Sequence, residues 1–188
     1  MNHQELIIKL QQGDDSAFAM LVEENQDMVY NTALVIVQNA DDADDITQEV
    51  FIQAYQSISS FKSGSKLSTW LYCITVNKTL DYKKKMNRKK RLGFVQSLFG
   101  AHTNEEVRLI VFDHPGLQLE KKESAAVLFN ALKQIPYRQR IAFTLHKIEG
   151  QSYQEIAEIM KTTLPSVEAL MSRAKVNLKN KLSNYYIQ

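Results

Sequence analysis

The chain of 188 residues is 44% hydrophobic and 23% charged with six glycines, a composition that suits one or two folded domains and excludes a fibrous or disordered polymer. Its single cysteine, Cys73, excludes an internal disulfide and any multi-cysteine metal site; no apolar run nears the roughly 20 residues of a membrane span, and no leader pattern is visible, so a cytoplasmic protein is expected. The net charge of +2 conceals a separation: residues 1–61 hold eleven acidic side chains against Lys9 alone, whereas residues 78–91 hold eight basic ones against Asp81 alone. Two oppositely charged blocks in one chain suggest two different partners, one of them a polyanion; solvated helix faces are the plainer reading of either block by itself.

Residues 1–38 read as two helices. Leu6, Ile7 and Leu10 form one apolar stripe, Gly13 interrupts it, and Asp14, Asp15 and Ser16 supply capping side chains ahead of Phe18, Leu21, Val22, Met28, Val29 and Ala33. Residues 39–60 form a sharper helix, with Asp41 as its expected cap and Asp44 and Asp45 in a first turn, where carboxylates meet the positive end of the helix dipole. Helical spacing assigns Ile46, Val50, Phe51, Ala54 and Tyr55 to the buried face and leaves Asp45, Gln48, Glu49 and Gln56 outward. The run 41–45 also admits a magnesium and diphosphate site of the kind found in helical prenyl-transferring enzymes, because a hard cation takes several carboxylate oxygens. Such a site needs a second acidic cluster facing the first, and the sequence offers none.

Residues 61–66, with Lys62, Ser63 and Lys66 around Gly64, read as a polar loop. The helix that begins near Ser68 and Thr69 carries Leu67, Trp70, Leu71 and Ile74 in one phase, and the same phase then brings in Asn77, Lys78 and Asp81. Either Asn77 pins this helix to another and Asp81 pairs with a nearby cation, or this end of the helix opens on a groove where a ligand supplies the hydrogen bonds. Lys83, Lys84, Lys85 and Arg88 to Arg91 follow, with Phe61, Trp70, Tyr72 and Tyr82 close in sequence. Cations for phosphates beside aromatic faces for unpaired bases are the makings of a single-stranded nucleic-acid surface. Trp70 and Tyr72 cannot share a helix face, so one is expected in the core and the other exposed.

Three of the six glycines (Gly93, Gly100, Gly116) and Pro115 fall in 93–121, which reads as an extended or mobile linker despite its apolar Val107, Leu109, Ile110 and Val111. Helical spacing returns with Ala126, Phe129, Leu132 and Ile135 up to Pro136, then Ile141, Ala142, Leu145 and Ile148 up to Gly150. Ser152 and Glu155 match a capping box, Ile156, Ala157 and Met160 form a short apolar side, and a turn at Lys161 and Thr162 leads to Thr163 as the next cap, with Pro165 in the first turn. The last helix buries Val167, Met171, Ala174, Leu178 and Leu182 and exposes Ser166, Glu168, Ser172, Arg173, Lys175 and Lys179. A short capped helix, a tight turn and a longer cationic helix are the parts of a helix-turn-helix. The expected fold class is all-α: two helical domains, 1–92 and 122–188, joined by a flexible linker, the second a helix-turn-helix.

The segments Asp44 to Phe51, Phe61, and Ser68 to Asn77 with Asp81 and the lysines behind it resemble the first conserved domain of bacterial extracytoplasmic-function (ECF) sigma factors. Tyr153 to Ala157, Ser166, Val167 and Ser172 to Lys175 resemble the second. The resemblance implies that Asp44, Asp45, Gln48, Glu49 and Gln56 dock on the β′ clamp helices of core RNA polymerase, with the β subunit a further contact. It implies that Phe61, Lys62, Ser63, Lys66, Ser68, Thr69, Trp70, Tyr72, Asn77, Asp81, Lys83, Lys84, Lys85 and Arg88 hold the melted −10 promoter strand. The −35 duplex would fall to Thr162, Thr163, Ser166, Glu168, Ala169, Ser172, Arg173, Lys175 and Lys179. No catalytic step, cofactor, metal or small-molecule substrate is implied; promoter DNA and an anti-sigma protein are. Glu168 departs from the cation usual there, and a glutamate accepts from cytosine N4 where arginine or lysine would favour guanine. A polymerase-independent helix-turn-helix regulator is the alternative, and it would bind paired half-sites as a dimer.

Overall fold

The computed structural model describes residues 3–62, 64, 66–97 and 119–183, with side chains for 4–62, 64, 66–88 and 126–183. The described residues form eight α-helices, α1 (His3–Gln11), α2 (Asp15–Val37), α3 (Ala40–Ser57) and α4 (Leu67–Ser97) before residues 98–118 and α5 (Leu119–Lys133), α6 (Tyr137–Lys147), α7 (Tyr153–Ile159) and α8 (Leu164–Ser183) after them. No strand occurs among the described residues, so the all-α expectation stands.

Local chemistry sets most of the boundaries. Asp14 caps α2 by accepting from the backbone N–H groups of Ser16 (2.9 Å) and Ala17 (3.0 Å), and Gly13 turns the chain before it at φ +77°, a left-handed conformation that glycine adopts without strain. At the cap of α3 the structure corrects the sequence reading: Asn39, not Asp41, accepts from the N–H of Asp42 (2.9 Å), so Asp41 and Asp42 become the first-turn acids. A capping box opens α7, with the Ser152 N–H donating to Glu155 (2.9 Å) and the Glu155 N–H to the serine hydroxyl (3.2 Å). Gly150 at φ +69° ends the preceding turn.

Two expected core residues are on the surface. Tyr55 is 50% exposed, its ring packed edge-on to Phe18 at 5.0 Å, and Ile148 is 48% exposed because α6 stops at Lys147 before the stripe completes. Helix α4 runs five residues past the expected boundary at 92, and α5 begins at Leu119. Gly93 does not stop α4: one glycine costs a helix only about 1 kcal/mol, and Met86 to Leu92 are mostly good helix formers. Ser63 and the middle of the expected linker, 98–118, lie outside the described residues.

Two apolar clusters hold the helices together, and each draws residues from both halves of the chain. One joins Leu21, Val29, Val50 and Leu71 to Leu132, Ala174 and Leu178; the other joins Ile36, Tyr72 and Val76 to Ile141, Leu145, Ile156, Val167 and Met171. Each fully buried leucine, isoleucine or methionine contributes about 1.5–3 kcal/mol of burial. Helix α2 packs against α6, and α4 against α7, so the halves lie face to face.

Candidate nucleic-acid interface

The outward face of α3 is built as its spacing predicts: Asp44, Asp45, Gln48, Glu49 and Gln56 are all exposed. Beside it lies a feature the spacing did not reveal, an open groove of ≈ 560 Å³ between α2 and α3, lined by Phe18, Val22, Phe51, Ile52 and Tyr55 and edged by Gln48 and Gln56. Ile52 (57% exposed) and Tyr55 present large apolar surfaces to solvent. The available signal was Ile52, an isoleucine out of phase with the buried stripe. Burial and then the charges of Asp44 and Asp41 push the Tyr30 phenol up, and burial with neighbouring Asp42 and Asp45 does the same to Tyr82.

The loop and α4 gather the strand-binding candidates. Lys62 and Lys66 are exposed, whereas Phe61 is buried and its ring meets that of half-buried Trp70 at 5.3 Å. Thr69 and Tyr72 are buried, Ser68 and Asn77 half-buried. Asp81 is exposed and pairs with Lys84 (2.9 Å), the plainer of its two readings; a pair this open to water is worth about 0–1 kcal/mol. The Lys83 ammonium donates to the Val37 carbonyl (3.2 Å) at the end of α2, while Lys85 and Arg88 face solvent. Lys78 of α4 meets Glu49 of α3 at 3.5 Å, joining the cationic helix to the acidic one.

Tyr72 is the member of the Trp70/Tyr72 pair that goes inside, but into the seam between the halves and not into a local core. Its hydroxyl donates to the Glu149 carboxylate at 2.6 Å. Burial, only partly offset by hydrogen bonds from Tyr72 and Thr32, raises the Glu149 carboxyl above 4.5. A group that binds its proton more readily in the folded chain subtracts stability above its raised pKa and ceases to do so as the pH falls to its unfolded value. Glu149→Gln should therefore gain thermal stability relative to the parent as pH rises from the ordinary glutamate value of 4.5 towards neutrality. Melting curves that run parallel across that range would reject the burial of this carboxylate. Nearby, Lys66 reaches Glu155 at 3.3 Å, on the carboxylate whose pKa the Ser152 backbone and hydroxyl bonds lower.

The α7–turn–α8 unit has helix-turn-helix form. Lys161 makes the turn at φ +48°, the Thr163 and Ser166 hydroxyls lie 2.9 Å apart at the start of α8, and Val167, Met171, Ala174 and Leu178 anchor α8. Thr163, Glu168, Ser172, Arg173, Lys175 and Lys179 are exposed on its open side; Thr162, Ser166 and Ala169 are half-buried. Arg140 of α6 is 6% exposed. Its guanidinium donates to the carbonyls of Ile36 (2.8 Å), Lys133 (2.9 Å) and Ile135 (3.4 Å), and burial pulls its pKa down to about 10. Among the described residues no three His, Cys, Asp or Glu side chains converge on a metal-sized site, and no helix is long and apolar enough to cross a membrane.

A helix with an exposed acidic face beside an apolar groove, a long cationic helix and a helix-turn-helix are the parts of a DNA-binding transcription protein. Residues 21–89 match the family model of Sigma-70 region 2, and residues 119–178 that of Sigma-70, region 4. Over 182 residues the chain is 32% identical to the ECF RNA polymerase sigma-E factor of Haemophilus influenzae, an alignment covering 97% of this chain and 96% of the relative. Its fold is similar to that of CnrH in complex with the cytosolic domain of CnrY (TM-score 0.69, 20% identity, 97% of each chain). It is similar as well to the sigma factor RpoE of Bartonella quintana in complex with the anti-sigma factor NepR (TM-score 0.66, 23% identity, 88% of this chain and 96% of that one). The chain belongs to the sigma-70 family of RNA polymerase sigma factors, in its ECF group.

Proposed function

We infer that this chain is a cytoplasmic promoter-specificity factor that docks on core RNA polymerase through α3 and the groove beside it, holds the melted −10 strand on the 61–66 loop and α4, and reads −35 duplex with α8. The observation that carries the reading is the order of surfaces along α3 and α4. Asp44, Asp45 and Glu49 are exposed on α3, the helix that forms one wall of an apolar groove fit for a partner helix, and Lys84, Lys85 and Arg88 are exposed on α4 to face a polyanion. The domains are assigned as 1–92, 93–121 and 122–188, with 93–121 as their connection.

On this reading the groove adds Ile52 and Tyr55 to the polymerase contact, as apolar anchors on the same helix as the exposed acids. Drawing a base out of the −10 duplex costs a few kcal/mol of stacking, which Trp70, Asn77 and the cations behind them are placed to offset. Arg173, Lys175 and Lys179 supply phosphate contacts at −35, and Glu168 shifts base preference toward cytosine. The chain itself carries out no covalent chemistry. An anti-sigma protein is an expected partner, as NepR is for RpoE of Bartonella quintana.

Run-off transcription with purified core polymerase and a promoter library tests the whole. Specific transcripts that appear only when chain and core are combined are the expected result. Tight, specific duplex binding by the chain alone, as a dimer, would replace this reading with that of a polymerase-independent regulator.

A further inference from the structure

The loop assigned to the melted strand is tied at its base to a residue fifty positions earlier in the chain. The side-chain amide of Gln11, the last residue of α1, donates to the Phe61 carbonyl at 2.9 Å. Ile7 lies one turn before Gln11 on the same face of α1, and Leu6, Ile7 and Leu10 are buried in the apolar cluster that also takes in Ile58, Phe61 and Leu67. Helix α1 thus packs against the 3-10 turn Ile58–Ser60 that delivers the chain to the loop. Bonds within the segment do not anchor it. The Phe61 N–H donates to Ile58 (3.0 Å), the Ser60 hydroxyl to Ser57 (2.7 Å) and the Gly64 N–H to Lys62 (2.6 Å), so each of them moves with the loop.

Phe61 is held from two sides. Its buried ring rests on Trp70 of α4 at 5.3 Å, which fixes where the residue sits, and Gln11 holds its carbonyl, which fixes how the peptide between Phe61 and Lys62 is turned. With the ring contact alone, ψ of Phe61, 120° in this structure, and φ of Lys62 could counter-rotate and swing that rigid peptide while the rest of the chain stayed in place. Lys62, the first exposed cation of the loop, begins at that peptide. Gln11 is itself exposed, and the entropy lost in holding a glutamine side chain offsets most of what a hydrogen bond near water gains. The bond therefore contributes direction and little stability. We propose that Gln11 is a positioning residue for −10 recognition: through its bond to Phe61, α1 sets the direction in which the loop leaves the fold, and so where Lys62 and the Gly64 backbone meet the strand. The inference rests on the assignment of the loop to that strand.

Hydrogen exchange in the full free chain reads the brace without reference to DNA. Gln11→Met, equal in length but without a donor, should speed exchange at the Phe61 and Gly64 amides about fivefold and leave the melting temperature unchanged. Gln11→Lys, which returns an N–H donor, should restore the parent's protection. In the assembled polymerase, Gln11→Met should lower the preference for the parent's selected −10 element over its single-base variants about fivefold, with core affinity and −35 selection unchanged, and Gln11→Lys should recover it. Unchanged exchange in Gln11→Met would overturn the brace. Freed amides with an unchanged −10 preference, or a loss shared equally by −35 selection and core affinity, would overturn the positioning role. The strand assignment is judged by Lys62→Ala with Lys66→Ala, which should weaken −10 binding in the same assembly. No loss there, with exchange in Gln11→Met still raised, removes the assignment and the positioning role with it, and leaves the bond between α1 and the loop standing.

Discussion

Core polymerase should lose about two orders of magnitude in affinity for a chain carrying Ile52→Asp together with Glu49→Lys. A fully desolvated anchor at the centre of a protein interface is worth about 2–4 kcal/mol, and Ile52, 57% exposed at the edge of the α2/α3 groove, is the anchor this surface offers. Placing a carboxylate there buries a charge against apolar walls, and reversing Glu49 replaces one of the exposed acids of α3 with a cation that repels a basic partner. Neither change touches the core, because both side chains point outward; Glu49 meets only Lys78 at 3.5 Å, and losing one pair of that exposure costs little. Titration of labelled core enzyme measures the effect, with helical content as the control. A loss below about threefold in a folded variant would move the docking site elsewhere on the molecule.

Lys84→Ala, Lys85→Ala and Arg88→Ala together should weaken promoter opening and make what remains less sensitive to salt. Each cation that neutralises a phosphate releases counterions, so three losses should flatten the log–log salt slope by about 2–3 and lower affinity near 0.1 M salt by about two orders of magnitude. Lys83 is left out of the set because its ammonium is held on the Val37 carbonyl at 3.2 Å, where removal would disturb the end of α2 as well as any DNA contact. Open-complex formation across a salt series is the measurement. A slope equal to that of the parent would take these three residues off the DNA path.

The sequence disclosed most of what is set within a single helix. Stripes of period 3.6 located α1 to α8, and the Ser152/Glu155 pair announced its own capping box, because caps and stripes depend on residues only a turn apart. Errors fell where a neighbour decides. Asn39 took the cap from Asp41 since the chain enters α3 from an extended residue two positions earlier, and Tyr55 left the core because Phe18 met its ring from outside the stripe. The site was legible as charge and composition, down to the outward set Asp44, Asp45, Gln48 and Glu49. Its apolar groove was not, for a groove belongs to two helices at once. The seam was the least legible feature of all. Nothing local distinguishes Arg140 from Arg138, yet the first is buried on three carbonyls and the second is exposed.

Helix α4 is unbroken from the loop through Tyr72 to the basic run, which makes it a ruler. At 1.5 Å per residue, Ser68 and Arg88 are held about 30 Å apart, and at 3.4 Å per base that distance corresponds to about nine nucleotides. On the proposed strand assignment, the length of this unbroken helix alone would set the span of promoter it engages at one time. An insertion of a single turn between Ile74 and Asp81 would lengthen that span by about 5.4 Å while rotating the far cations little, turning base spacing into a quantity the protein measures in residues.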